Sequence, residues 1–245
     1  MAERGPLLEV VVLHARDVAG ADEGGADRLV VVADVEAGGL SAEPRVLSSI
    51  CKETDLPVRA MLRLNDGFST TGGELTRLVG LAEDYLSVGA AGLVFGFLDM
   101  DLEVDPEPCA YLADKLPGVP WTFSRAIDSA LASDRAWRQV QELTGLDAVC
   151  SAGSPQGMHS GFDDLVRLAG TDAVAASLVM AGGGLRAEHV PWLTRAGVGQ
   201  FHVGSSVRPG GSWTKAYVDA GHVRSWRLLL DDSLERAQGH PAAHQ

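Results

Sequence analysis

Two glycine-rich turns, Met180-Ala181-Gly182-Gly183-Gly184 and His202-Val203-Gly204-Ser205-Ser206, each follow a short apolar run late in the chain. They stand about one strand-helix unit apart, the spacing at which a (β/α)8 barrel builds a phosphate site from the loops after its seventh and eighth strands. Glycine lets backbone N–H groups approach an anion closely, and a following helix start adds partial positive charge. Gly183, Gly184, Gly204, Ser205 and Ser206 are therefore candidate anion-binding residues. The alternative is that both turns only cap helices.

Working outward, short Val/Ile/Leu-rich runs alternate with segments of helical period. The strand-like runs are Leu7–Leu13, Arg28–Ala33, Pro57–Arg63, Gly92–Phe97, Trp121–Ala126, Ala148–Ser151, Ser177–Ala181 and Gln200–Val203. The helical segments are Ser41–Glu53, Gly73–Val88, Pro106–Leu116, Asp134–Leu143, Phe162–Ala169, Arg186–Ala196 and Ser225–Ala237. The first four strand runs are almost continuously apolar, as parallel strands covered by helices must be. Gly89, Gly145 and Gly197 sit where helices stop before the next strand. The expected fold is an α/β chain closed into a (β/α)8 barrel, with residues 1–245 forming one domain and 238–245 a mobile tail. The length of 245 residues suits one barrel and leaves no room for a second domain.

Composition removes several function classes. A net charge of -13 argues against nucleic acid or an anionic membrane as the main partner, because both require a basic face. No run approaches the roughly 18 apolar residues that span a bilayer, and the start Met1-Ala2-Glu3-Arg4 is not a signal peptide, so a cytosolic protein is expected. Cys51, Cys109 and Cys150 are an odd number in unrelated elements and imply no disulfide framework.

In such a barrel the C-terminal strand ends face the site. Arg63 and Arg125 stand where apolar strands open into loops, and Arg28 starts strand two. A guanidinium there can clamp a phosphate or carboxylate, or can close the barrel by pairing with a buried acid such as Glu9. Asp128 is a general base or a helix cap. Asp99-Met100-Asp101 is a divalent-cation site or a solvated loop. His202, alternating with Phe201 and Val203, faces either the lumen or the helix layer. Glu9, Asp128 and His202 are the candidate acid/base residues. Lys52, Lys115 and Lys215 fall outside the strand ends, which argues against Schiff-base chemistry.

The stretches Leu8-Glu9-Val10, Gly25-Ala26-Asp27-Arg28-Leu29, Gly38-Gly39-Leu40-Ser41, Pro57-Val58 through Met61-Leu62-Arg63, Gly89 through Asp99, Thr122-Phe123-Ser124-Arg125-Ala126-Ile127-Asp128, Met180 through Gly184 and Phe201-His202-Val203 resemble the copper homeostasis protein CutC family, in family order. The resemblance implies a (β/α)8 barrel and a link to cytosolic copper handling. The chain also departs from the family pattern. Val30 and Val32 replace an acid and a cysteine, no cysteine stands near Val11 or Val12, Arg59 replaces a histidine, Asn65 an arginine, and Ser124 the histidine of a Thr-Phe-His-Arg motif. Copper prefers thiolate and imidazole, which leaves Cys150 and His202 as the candidate metal ligands. The resulting expectation is a barrel mouth that binds a small phosphorylated or carboxylated molecule, with acid/base chemistry as an option and no cofactor other than copper in question. A copper-binding protein of homeostasis and a non-catalytic scaffold are the alternatives, and a homo-oligomer is open.

Overall fold

Eight parallel strands pair in sequence order and close on themselves, β1 (Leu7–Val12) lying between β2 (Arg28–Val31) and β8 (Gln200–Val203). The others are β3 (Val58–Met61), β4 (Gly92–Phe95), β5 (Trp121–Phe123), β6 (Leu146–Ser151) and β7 (Val179–Ala181). The computed structural model describes residues 5–239. The (β/α)8 barrel expected from the strand spacing is the fold.

Helices α1 (Val18–Gly24), α2 (Pro44–Cys51), α3 (Gly72–Ser87), α4 (Pro106–Lys115), α5 (Ser133–Val140), α6 (Met158–Thr171), α7 (Ala173–Leu178), α8 (Val190–Arg195) and α9 (Ala220–Gly239) connect the strands and cover the barrel. Two of these were not expected. α1 escapes a periodicity reading because Val18-Ala19-Gly20-Ala21-Asp22-Glu23-Gly24 is short and glycine-bearing; Gly20 and Gly24 permit contact with Val218 and Val223 that a Cβ would block. α7 takes residues up to Leu178, so β7 begins two residues later than expected; Asp172 caps it by accepting from the Val174 and Ala175 amides at 3.0 Å. The tail expected over 238–245 is helical at Gln238 and Gly239, and its remainder lies outside the described residues.

The main apolar core lies between barrel and helices, where alternate strand residues such as Leu8, Val10, Leu29, Val31, Leu93, Phe95 and Phe201 face outward and are buried. Phe95 stacks on Trp121 at 4.1 Å between centroids. The other alternate residues face the lumen. At its lower end the Arg59 guanidinium bonds Thr122 and the Asp147 carboxylate, which satisfies a charge that the barrel otherwise buries. Among the described residues no helix is long and apolar enough to cross a membrane.

Candidate functional site

A cavity of about 440 Å³ opens at the C-terminal end of the barrel. Glu9, Arg63, Arg125, Gly183, Gly184, His202, Gly204, Ser205 and Ser206 all line it, so the two glycine-rich turns do meet across one space. Arg28 and Asp128 do not line it; they stand behind the wall.

Glu9 is 1% exposed and faces inward from β1. It accepts from Arg28 Nε at 2.6 Å and pairs with His202 Nδ1 at 2.8 Å. Burial disfavours the Glu9 carboxylate, but the Arg28 charge and the His202 contact more than offset it and hold the pKa at about 2. A carboxylate so acidic is an orienting charge and a weak base. With the carboxylate accepting at Nδ1, the proton of a neutral His202 sits there and Nε2 is the basic nitrogen. His202 therefore faces the lumen, one of the two faces its alternation allowed. Arg28 turns out to be Glu9's partner, also lying 3.5 Å from Met180 Sδ, and has no position from which to clamp a cavity ligand.

Arg125 leaves β5 in a 3-10 turn, Arg125–Ser129, capped by the Ser124 hydroxyl. Its Nε donates to Asp128 at 2.8 Å and its Nη2 to the Ser154 carbonyl at 3.1 Å. Asp128 thus neither caps that turn nor meets the cavity. Instead it accepts from Arg125, the Ser151 hydroxyl and the Ala152 and Gly153 amides, tying β5 to the loop after β6. Burial pushes its carboxyl above the usual range, against the pull of Arg125 and these donors. The Arg125 guanidinium lies flat against the Gly183 backbone, where a Cβ would stand 2.7 Å from Cζ. Only glycine fits there, at a φ of +77°. Arg125 keeps 36% side-chain exposure, and its Nη1 has no acceptor among the described residues.

The Gly183, Gly184, Ser205 and Ser206 amides make no hydrogen bond to another described residue, and neither serine hydroxyl has a partner among them. Arg63 differs from Arg125. It donates to the carbonyls of Ala37, Asp66 and Gly67 and lies 4.5 Å over the Phe68 ring, so it holds loops together and pairs with no buried acid. Burial lowers its pKa while the Asp66 charge raises it.

Cys150 and His202 both flank Gly182, where a Cβ would lie 3.0 Å from His202 and 3.2 Å from the Cys150 sulfur. Burial pushes the Cys150 thiol well up, away from the thiolate form that binds soft metals. Among the described residues no group of three or more His, Cys, Asp and Glu side chains is placed to hold a metal ion. Asp99 is spent on its own loop, its carboxylate accepting from the Asp101 and Glu103 amides at 2.9 Å.

Two features of the mouth were not read from sequence. Trp213 packs over Gly204 and lines the cavity, and Arg208, fully buried, lies 5.1 Å from its ring. Both lie in Arg208-Pro209-Gly210-Gly211-Ser212-Trp213, whose signal was a large aromatic in a loop otherwise made of turn residues.

The chain is similar to known proteins along nearly its whole barrel. The CutC family model matches residues 6–207. A family protein CutC of Enterobacter sp. (strain 638) is 29% identical over 209 residues, 85% of this chain and 81% of that protein. One from Klebsiella pneumoniae (strain 342) is 30% identical over 200 residues, 80% of this chain and 78% of that one. Among solved structures, a CutC of Streptococcus agalactiae that carries a provisional copper-homeostasis name superposes with a TM-score of 0.71 at 22% identity, over 81% of this chain and 98% of that one. A thiamine phosphate pyrophosphorylase from Pyrococcus furiosus gives 0.60 at 18% identity, over 93% and 96%, a likeness of fold alone. The motifs around Glu9, Arg63, Arg125 and Gly182 to Gly184 lie inside the matched span, and the chain belongs to the CutC family.

Proposed function

We propose that this chain is a cytosolic barrel protein that binds a small organic anion, phosphorylated or carboxylated, at the C-terminal mouth of the barrel. The observation that carries the reading is Arg125 held flat on Gly183, one edge of its guanidinium unpartnered, beside four free amides and two free hydroxyls. Such donors cost little reorganisation when an anion arrives, and charge-assisted hydrogen bonds are the strong ones. His202, oriented by Glu9, is the group placed to exchange a proton with the bound molecule.

Hydrogen bonds to charged groups contribute about 1.5–3 kcal/mol each, so Arg125→Ala is expected to weaken inorganic phosphate binding roughly tenfold or more. Asp128 keeps Ser151 and two amides in that variant, so the fold survives the loss. Calorimetric titration and a melting curve on the same variant decide the matter: lost stability with unchanged phosphate affinity would sink the anion reading.

Copper handling, carried by the name of the Streptococcus agalactiae structure, is the second reading, favoured by the closeness of Cys150 and His202 across Gly182. The donor set fits it poorly, with a protonated buried thiol and a carboxylate committed to Arg28. Titration with Cu(I) against a competing chelator is expected to reveal only loose binding. A stoichiometric tight site abolished by Cys150→Ser would replace the anion reading with the copper one.

A further inference from the structure

The lumen is divided. At the level of the cavity, β1 to β4 and the loops after them present Val11, Val30, Val32, Met61 and Val94, which form a second apolar cluster separate from the main core. Trp213 closes this cluster from the β8 side. Across the axis, the β5 to β8 side presents Ser124, Cys150 and His202, small or polar residues, with Arg125 and the glycine turns.

A barrel interior is ordinarily filled by layers of bulky side chains that meet across the axis. Here the apolar wall meets no opposite number, because the facing positions are too small, and the space stays open. All five side chains are 1–9% exposed, yet the face each turns to the cavity meets no packed layer and forgoes dispersion contacts there. The same wall adjoins the donors that face an anion, within one cavity of about 440 Å³, a volume ordinary for a small-molecule site.

We propose that the ligand is an anion carrying a compact apolar body, aromatic or branched aliphatic, whose charged head lies at Arg125 and Gly183 and whose body fills the pouch of Val11, Val30, Val32, Met61, Val94 and Trp213. The inference rests on the anion reading of the same site. It makes Val30 and Val32 specificity-determining residues, since a bare anion would leave the pouch empty and a polar body would lose its hydration there without gaining hydrogen bonds.

The test uses four probes on the full chain by calorimetry: inorganic phosphate against phenyl phosphate, and acetate against phenylacetate. In at least one pair the aryl member is expected to bind about tenfold or more tightly than the bare head, the effect of burying a ring. Val32→Phe fills the pouch and is expected to remove that advantage; Val32→Thr, which keeps the volume and adds a hydroxyl, is the second variant should the first not fold, and is expected to reduce it. Equal affinities within both pairs, or an aryl advantage that these variants leave untouched, overturns the pouch while the anion reading stands. If none of the four probes binds, the anion reading itself falls and takes the pouch with it.

Discussion

Asp17→Ala is expected to lower the stability of the fold by about 3–5 kcal/mol, because it leaves the Arg208 guanidinium buried without a counterion. Both side chains are fully buried. Asp17 accepts from Arg208 Nη1 at 3.0 Å and Nη2 at 2.8 Å, and from the Leu13 and Val218 amides at 2.8 and 3.0 Å. One carboxylate thus joins the end of β1, the turn before α1, the segment after β8 and the approach to α9. Arg208 also donates to the Val11 and Ala216 carbonyls. A chain of this size is expected to melt roughly 10 °C lower or more in the variant. A loss under about 1 kcal/mol in urea denaturation would show that the pair is dispensable. Arg208 carries Trp213 against Gly204, so the same substitution is expected to loosen the cavity wall before the barrel itself opens.

The barrel was legible because its signal repeats. Eight apolar runs at regular spacing leave few alternatives, and an error in any one boundary does not disturb the closure. What escaped was set by tertiary contact. β5 ends at Phe123, earlier than its apolar pattern suggests, because Asp128 is drawn back to the Ser151 hydroxyl and the loop amides after β6, and that winds residues 125–129 into a 3-10 turn. No local pattern encodes a partner 23 residues away. The glycine turns were legible as places of close approach, and Gly183 is one, though what approaches it is Arg125 of the same chain. Which arginine has a free edge was not legible, since Arg63 and Arg125 both read as arginines where a strand opens into a loop, and Arg28 as one at a strand start. Their roles separate only once Glu9, the loop carbonyls and Asp128 are in place around them. The pouch was half visible in Val30 and Val32; that the cluster they form borders an open cavity depends on the small residues of other strands.

Glu9→Leu is expected to cost a similar 3–5 kcal/mol, for it strips Arg28 of its only carboxylate partner among the described residues. The pair itself need not stabilise the fold relative to apolar packing, so Glu9→Leu combined with Arg28→Met is expected to recover most of the loss. Acid titration gives an independent signature. The Glu9 pKa is depressed in the folded chain, so its contribution is fully present above the ordinary value of 4.5 and is lost as the pH falls toward about 2. Asp17, also depressed, loses its contribution in the same direction. The double variant should therefore show a shallower decline of stability below about pH 4.5 than the parent, retaining only the part due to groups such as Asp17. It also removes the group that fixes the His202 tautomer while leaving Arg125, Gly183 and the serine turn intact. Phosphate binding near that of the parent is the expected result. If phosphate binding fell in a double variant as stable as the parent, the Glu9 carboxylate would be part of anion capture, and the proposed division of labour between Arg125 as clamp and the Glu9–His202 pair would be wrong.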